Sequence, residues 1–201
     1  RRVKLLSFIK DEQRLPLVEI LIPALRQMSQ SQHAKFVDIL DELIFADDEI
    51  SLFEFCMEKL LYHRLVPEVR HGGTRSAQFY SLTPLRQDVI VLVSRLAFIG
   101  HDTIDAVQRA FRTGMAQLDG DAARWAQSAT LVDEDHCSFA ELERALDRIG
   151  DSSNGVKKRI VGAIAHTVLA DDEVTVQEAE ILRAICEVID VPLPPFLPGQ
   201  E

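Results

Sequence analysis

Apolar positions recur with helical spacing along nearly the whole chain. Leu17, Val18, Leu21, Ile22 and Leu25 follow the i, i+1, i+4, i+5, i+8 pattern of one helix face. Comparable patterns cover residues 32–45, 52–66, 84–99, 103–118, 122–129, 138–149, 156–169 and 176–189. No stretch shows the sustained alternation of a strand. The pattern therefore predicts an all-α fold, a helical bundle of about eight to ten helices.

Proline and glycine mark the predicted helix boundaries. Pro16 suits the first turn of the first helix, and Pro23 is expected to kink that helix or end it. Gly100 is expected to close the helix that Pro84 opens. Residues 67–78 are predicted to form a loop, and the tail 191–201 contains four prolines, which exclude a helix.

An acidic phrase occurs twice, with its flanking apolar positions in register. FADDEISLFEF begins at Phe45 and LADDEVTVQEA begins at Leu169, an offset of 169 − 45 = 124 residues. The same offset places Leu61 on Ile185 and carries the apolar pattern through both flanking helices. The repeat is therefore predicted to be a duplicated helix–acidic turn–helix unit, with one copy packed against the other.

The repeat gives an internal organisation to what is predicted to be a single all-α domain, residues 1–201. Its parts are a first repeat unit (about 33–66), connecting helices (about 84–150), a second repeat unit (about 156–190) and the proline-rich tail (191–201).

Part of the acidic phrase is the signature of a helix start. Serine or threonine followed three residues later by glutamate forms a capping box, in which the hydroxyl and the carboxylate each bind a backbone N–H group. The pattern occurs three times and predicts six capping residues: Ser51, Glu54, Thr175, Glu178, Ser138 and Glu141.

The acidic triplets themselves are not needed for capping. Like charges crowded in a turn repel one another, and a bound divalent cation or a basic partner would relieve that repulsion. The turns lack the D-x-D-x-D-G spacing of an EF-hand, so any cation site would be weak. Two readings stay open: solvated acids that assist capping, or a binding site. The candidate metal-binding residues are Asp47, Asp48, Glu49, Asp171, Asp172 and Glu173.

Charge and motif content exclude several function classes. The net charge of −10 disfavours nucleic acid as a partner. No His is followed by the E-x-x-H of a zinc protease, and no glycine-rich phosphate loop is present. The three cysteines, Cys56, Cys137 and Cys186, form neither a disulfide framework nor a zinc ribbon and are interpreted as packed thiols. No catalytic residue is predicted, and the chain is not expected to be an enzyme by itself.

Three stretches resemble known bacterial proteins. TPLRQDVIVLVSRLAFIGHDTIDAVQRAFRTGMAQL, CSFAELERALDRI and LADDEVTVQEAEILRAICEVIDVPLPPFL resemble the cytosolic helical region of HtpX-like membrane zinc metallopeptidases. The acidic phrase also resembles the turns of TerB-like tellurite-resistance domains, in which paired acidic turns are associated with metal. In this chain an Asp stands where many of those turns have Gly, which argues against a turn that wraps a ligand tightly.

The resemblance implies a non-catalytic accessory or interaction domain on the cytoplasmic face of the bacterial inner membrane. Zinc, proteolysis and membrane attachment would belong to the parent peptidase. The partners would be proteins or the peptidase's own protease domain, and the chain itself would at most bind a divalent cation weakly. The absence of an initiating Met and of an apolar span favours this reading. The alternative is a stand-alone TerB-like metal-binding or stress-response domain. The sequence predicts no oligomeric state.

Overall fold

The computed structural model describes residues 9–44, 50–65 and 77–194, with the side chain of Asp11 excepted. Within these ranges the chain is all-α and contains nine α-helices and no strand. In chain order they are α1 (Asp11–Leu25), α2 (Gln30–Ile44), α3 (Leu52–Leu65), α4 (Arg86–Gly100), α5 (Ile104–Met115), α6 (Ala123–Gln127), α7 (Phe139–Gly150), α8 (Asn154–Val168) and α9 (Val176–Val188). None of the helices in these ranges is long and apolar enough to cross a membrane.

The chain divides into two compact units, Arg1–His71 and Gly72–Glu201. The first unit contains α1–α3 and the second contains α4–α9. The two copies of the repeat lie in different units. The prediction of a single domain, and the prediction that one copy packs against the other, therefore stay predictions.

The first unit is built around a small apolar cluster shared by α1, α2 and α3. Ile22, Leu40, Ile44, Leu61 and Leu65 are buried there. Both prolines lie inside α1, which begins at Asp11 and ends two residues after Pro23. Pro16 is therefore not in the first turn, and Pro23 is not the helix end. The buried neighbours Leu15 and Ile22 fix this helix by packing, which offsets the two missing backbone hydrogen bonds.

The second unit surrounds α4, which contacts α5, α7, α8 and α9. A helix with apolar residues on every side belongs in a protein interior. In α4, eight residues are buried, including six consecutive positions from Val89 to Ser94. The segment before α4 joins the turn that follows α7, because Ser153 N–H donates to the Phe79 carbonyl at 2.8 Å.

The helix bounds of the two repeat copies keep the sequence offset. The helices before the acidic phrase begin at Gln30 and Asn154, which are 154 − 30 = 124 residues apart. The helices after it begin at Leu52 and Val176, with the same difference, 176 − 52 = 124. The two helices of each copy thus begin at equivalent positions, as the repeat predicts.

Candidate functional site

The second acidic turn, Asp171–Glu173, connects α8 to α9. Its three carboxylate side chains are exposed. The Asp172 N–H donates to the Leu169 carbonyl at 3.2 Å and holds the turn on the end of α8. Asp171 Oδ1 accepts from the Glu173 N–H at 3.2 Å, which fixes one carboxylate against the turn backbone. The turn therefore presents a compact group of negative charge to the surroundings.

Asp172 is the residue that, by the resemblance to TerB-like turns, stands in place of glycine. Its φ angle is +62°, in the left-handed region that glycine enters without strain and that Asp tolerates better than most residues. Asp172 thus adopts the backbone conformation that glycine would supply. The expectation that this turn does not wrap a ligand tightly stays a prediction.

The residues after the acidic turn form the predicted capping box of α9. Thr175 Oγ1 accepts from the Glu178 N–H at 3.2 Å, and Glu178 Oε2 accepts from the Thr175 N–H at 2.9 Å. Ser51 and Glu54 repeat this geometry at α3, with corresponding distances of 3.2 and 2.9 Å. The Ser51 hydroxyl is the main cause of a lowered pKa for Glu54. These four residues have a structural role in starting two helices.

The third predicted capping box is incomplete. Ser138 Oγ accepts from the Glu141 N–H at 3.4 Å, so Ser138 is an N-cap of α7. The carboxylate of Glu141 does not return to the cap. It forms an ion pair with Arg144 at 2.8 Å on the same helix. An i, i+3 cation competes for this carboxylate, and the prediction for Glu141 is wrong.

We expect removal of the Thr175 hydroxyl to destabilise the protein more than removal of the Ser51 hydroxyl. Thr175→Ala should lower the free energy of unfolding by about 1–2 kcal/mol, and Ser51→Ala by about 1 kcal/mol. The larger value follows from burial, since Glu178 is 1% exposed whereas Glu54 is only half-buried. Chemical denaturation measures both effects. Thr175→Ser, which keeps the hydroxyl, is the control, and equal losses for Ala and Ser would contradict the capping role.

The Glu178 carboxylate of α9 also packs against Gly100 at the end of α4. A methyl group added at Gly100 would lie 1.9 Å from Glu178 Oε1. Oε1 is buried and has no hydrogen-bond partner among the residues that the structure describes, while Oε2 accepts the hydrogen bond of the cap. Gly100 is therefore required for close approach of the carboxylate, in addition to closing α4.

His101, the residue after Gly100, lies beside the acidic turn. Its Nε2 atom is 3.7 Å from Asp171 Oδ2, and its side chain is 5% exposed. Its Nδ1 atom lies 3.2 Å from the Ala97 carbonyl. When Nδ1 carries the proton and donates to that carbonyl, Nε2 faces Asp171 as an acceptor or a metal ligand. The sequence did not indicate His101 as a site residue, because no motif or spacing connects it to Asp171.

The donors at this turn fit a weak cation site better than a tight one. Asp171 and His101 supply one oxygen and one nitrogen, and water would have to complete the coordination. In the described ranges no group of three or more His, Cys, Asp or Glu side chains is arranged to hold a metal ion. The first-copy candidates, Asp47, Asp48 and Glu49, lie outside the described residues.

The three cysteines are buried and are not in disulfides. Burial raises the pKa of the Cys137 thiol to about 11 and that of the Cys186 thiol to about 12. These two thiols are therefore protonated at neutral pH, which makes them poor nucleophiles and poor metal ligands.

The turn Asp119–Gly120–Asp121 binds protein groups. Asp121 Oδ2 accepts from the backbone N–H groups of Leu82 and Thr83 at 2.7 and 3.0 Å. Arg159 donates to Asp121 Oδ1 at 2.8 Å and to Asp119 Oδ1 at 3.0 Å. These acids therefore connect the segment before α4 to α8.

Comparison with known proteins places the chain in a family. Residues 86–196 match the family model described as "Tellurite resistance protein TerB". Comparisons with curated proteins and with solved structures gave no match. The matched region runs from α4 to beyond α9 and contains the acidic turn, its capping box and His101. The match covers more than half of the chain, and the chain therefore belongs to the TerB family of tellurite resistance proteins.

Proposed function

We propose that this protein is a non-catalytic binding domain of a metal- or stress-resistance system, and that its binding site is the acidic turn Asp171–Glu173. The observation that carries the proposal is the exposure of all three carboxylates, on a turn in which the N–H groups of Asp172 and Glu173 already have acceptors within the turn and at the end of α8. Thr175 and Glu178, and not the acids of the turn, cap the N-terminus of α9. The acids of the turn are therefore available for a ligand.

A divalent cation is the ligand that this turn is expected to take first. Asp171 and the adjacent His101 supply two donors, and the neighbouring carboxylates add negative potential. Few protein donors imply a dissociation constant in the millimolar range, as in weak extracellular calcium sites. A basic protein surface would be attracted by the same charge.

Thermal unfolding in the presence of calcium, magnesium or manganese, compared with chelator, tests the cation site. At a cation concentration about ten times the dissociation constant, binding stabilises the folded state by about 1.4 kcal/mol. For a chain of this size we expect a rise in Tm of about 3–5 °C with at least one of the three ions.

Asp171→Asn should abolish the shift, because it removes the carboxylate that faces His101. The matched control is Asp133→Asn, which removes a charge from the exposed acidic segment before Ser138 and should leave the shift intact. If no ion shifts the wild-type Tm, the cation part of the proposal is wrong and a basic partner remains.

We further propose that the chain is the cytosolic accessory region of a membrane-bound zinc metallopeptidase. The support is the resemblance of the α4–α5 segment and of α9 with its following prolines to the C-terminal region of HtpX-like peptidases. In that case proteolysis, zinc and membrane attachment would reside in the parent chain, at the cytoplasmic face of the inner membrane.

The genomic coding sequence upstream of Arg1 distinguishes this version from a stand-alone domain. An H-E-x-x-H motif together with apolar segments of about 20 residues would support the peptidase parent. A start codon immediately before Arg1 would contradict it.

A further inference from the structure

One side of α2 in the first unit is apolar and exposed. Ile39 is 45% exposed and Leu43 is 64% exposed. The two residues are four positions apart, so they lie one above the other on the helix surface. The buried residues Leu40 and Ile44 belong to the core cluster of the first unit. Ile39 and Leu43 therefore form an apolar stripe beside the residues that hold α2 in its fold.

The second repeat copy shows what covers the equivalent side of its own helix, α8. The repeat offset places Ile39 on Ala163, since 163 − 39 = 124, and both equivalent residues of α8 are fully buried. The other is Thr167, which corresponds to Leu43, since 167 − 43 = 124. Helix α5 packs on both, because a methyl group at Gly114 would lie 2.0 Å from Thr167 Oγ1 and 2.8 Å from the Ala163 carbonyl oxygen. The duplicated unit thus uses this side of the helix to pack against another helix.

The charges beside the stripe indicate which helix fits it in the first copy. Lys35 and Glu42 are exposed and lie seven residues apart, so they follow the same edge of the stripe. When two copies of α2 pack antiparallel around a two-fold axis, each Lys35 faces the Glu42 of the other copy. The axis then passes beside Ile39, and the two Ile39 side chains meet. A second copy of α2 therefore complements the stripe in charge and in apolar contact.

We propose that the protein forms a dimer through α2, in which the stripes of two copies pack antiparallel and two Lys35–Glu42 ion pairs flank them. The interface is isologous, so each of its residues contributes twice. The stripe is short, so the contact buries less than about 1,200 Å² and the association is weak. The dimer does not involve the acidic turn Asp171–Glu173 and is independent of the binding function proposed for that turn.

Sedimentation equilibrium of the full chain over a series of concentrations tests the dimer. We expect the weight-average mass to rise with concentration from the 22.6 kDa of one chain towards twice that value. A protein that stays monomeric up to about 1 mM overturns the proposal. Growth beyond two copies also overturns it, because a two-fold interface closes on itself.

Leu43→Glu tests the apolar contact and should weaken the dimer by about tenfold or more, because it places one charge from each copy between the helices. The matched control is Ile104→Glu, at an apolar residue that is 58% exposed in the second unit, and it should dimerise like the wild type. Unchanged dimerisation of Leu43→Glu overturns the proposal, and so does equal weakening by both substitutions. A Tm lowered by several degrees in monomeric Leu43→Glu also overturns it, because the stripe is then covered within one chain.

Charge reversal tests the antiparallel pairing and leaves the apolar residues unchanged. Lys35→Glu and Glu42→Lys should each weaken the dimer by about threefold or more, because each brings like charges face to face twice. The double variant Lys35→Glu/Glu42→Lys restores opposite charges and should dimerise like the wild type. An equimolar mixture of the two single variants should associate more tightly than either variant alone, because every Lys then faces a Glu. A double variant that dimerises no better than the single variants overturns the proposal, since pairing with a second copy requires this compensation.

Discussion

Gly114→Ala is expected to lower the free energy of unfolding by about 3 kcal/mol, since overpacking a buried helix contact forces backbone movement. Gly114 is buried in α5 against α8. A methyl group at this position would lie 2.0 Å from Thr167 Oγ1 and 2.8 Å from the Ala163 carbonyl oxygen. The carbonyl belongs to the backbone of α8, so the two helices would have to separate. Urea denaturation followed by circular dichroism measures the loss.

Gly162→Ala is the matched control for this substitution. Gly162 also lies in a helix, α8, but a methyl group there would meet nothing within 4 Å. Because alanine is the better helix former, we expect Gly162→Ala to stabilise the fold by up to about 1 kcal/mol. Adding Thr167→Ala to Gly114→Ala removes the closest contact and should recover part of the loss. A Gly114→Ala protein as stable as the wild type would show that α5 and α8 do not approach this closely.

Asp121→Ala is expected to lower the free energy of unfolding by about 2–3 kcal/mol, because it leaves the buried Leu82 N–H group and the half-buried Arg159 side chain without this acceptor. The Asp121 carboxylate accepts from the N–H groups of Leu82 and Thr83 and from Arg159. Leu82 is fully buried, so water cannot readily replace the lost acceptor for its N–H group.

The control for Asp121→Ala is Asp119→Ala, in the same turn. The Asp119 side chain is 84% exposed, and its ion pair with Arg159 is accordingly weak. We expect its effect on the free energy of unfolding to be within experimental error. Equal effects of the two substitutions would contradict the role of Asp121 as the acceptor that holds the segment before α4.

Asp121 should also contribute to acid unfolding. Burial by itself raises the pKa of Asp121, but hydrogen bonds from Arg159, Thr83 and Leu82 together outweigh it, and the pKa lies below its ordinary value of 3.8. The folded pKa is therefore below the unfolded pKa. The stabilisation is fully present above about pH 4 and is lost as the pH falls through the folded pKa. A plot of stability against pH should be less steep for Asp121→Asn below about pH 4 than for the wild type.

The helices, the duplication and the caps were determined by the sequence alone. Each depends on residues close together in the chain: the 3.6-residue period of the apolar positions, or a hydroxyl three residues before a carboxylate. The duplication needed only a fixed offset, and the helix bounds keep it. Predictions from sequence spacing were wrong where a contact with another residue was stronger than the local preference. Arg144 takes the carboxylate of Glu141, and packing of Leu15 and Ile22 keeps two prolines inside α1.

Only the tertiary structure decided which distant residues meet. His101 follows the end of α4, yet it lies against Asp171, and Gly100 accommodates the buried carboxylate of Glu178. No periodicity along one helix relates such pairs, because their proximity depends on how α4 and α9 pack in three dimensions. The sequence thus identified the acidic turn of the second repeat as a distinctive feature. The helix packing decided that a histidine stands beside it and that the capping glutamate is buried.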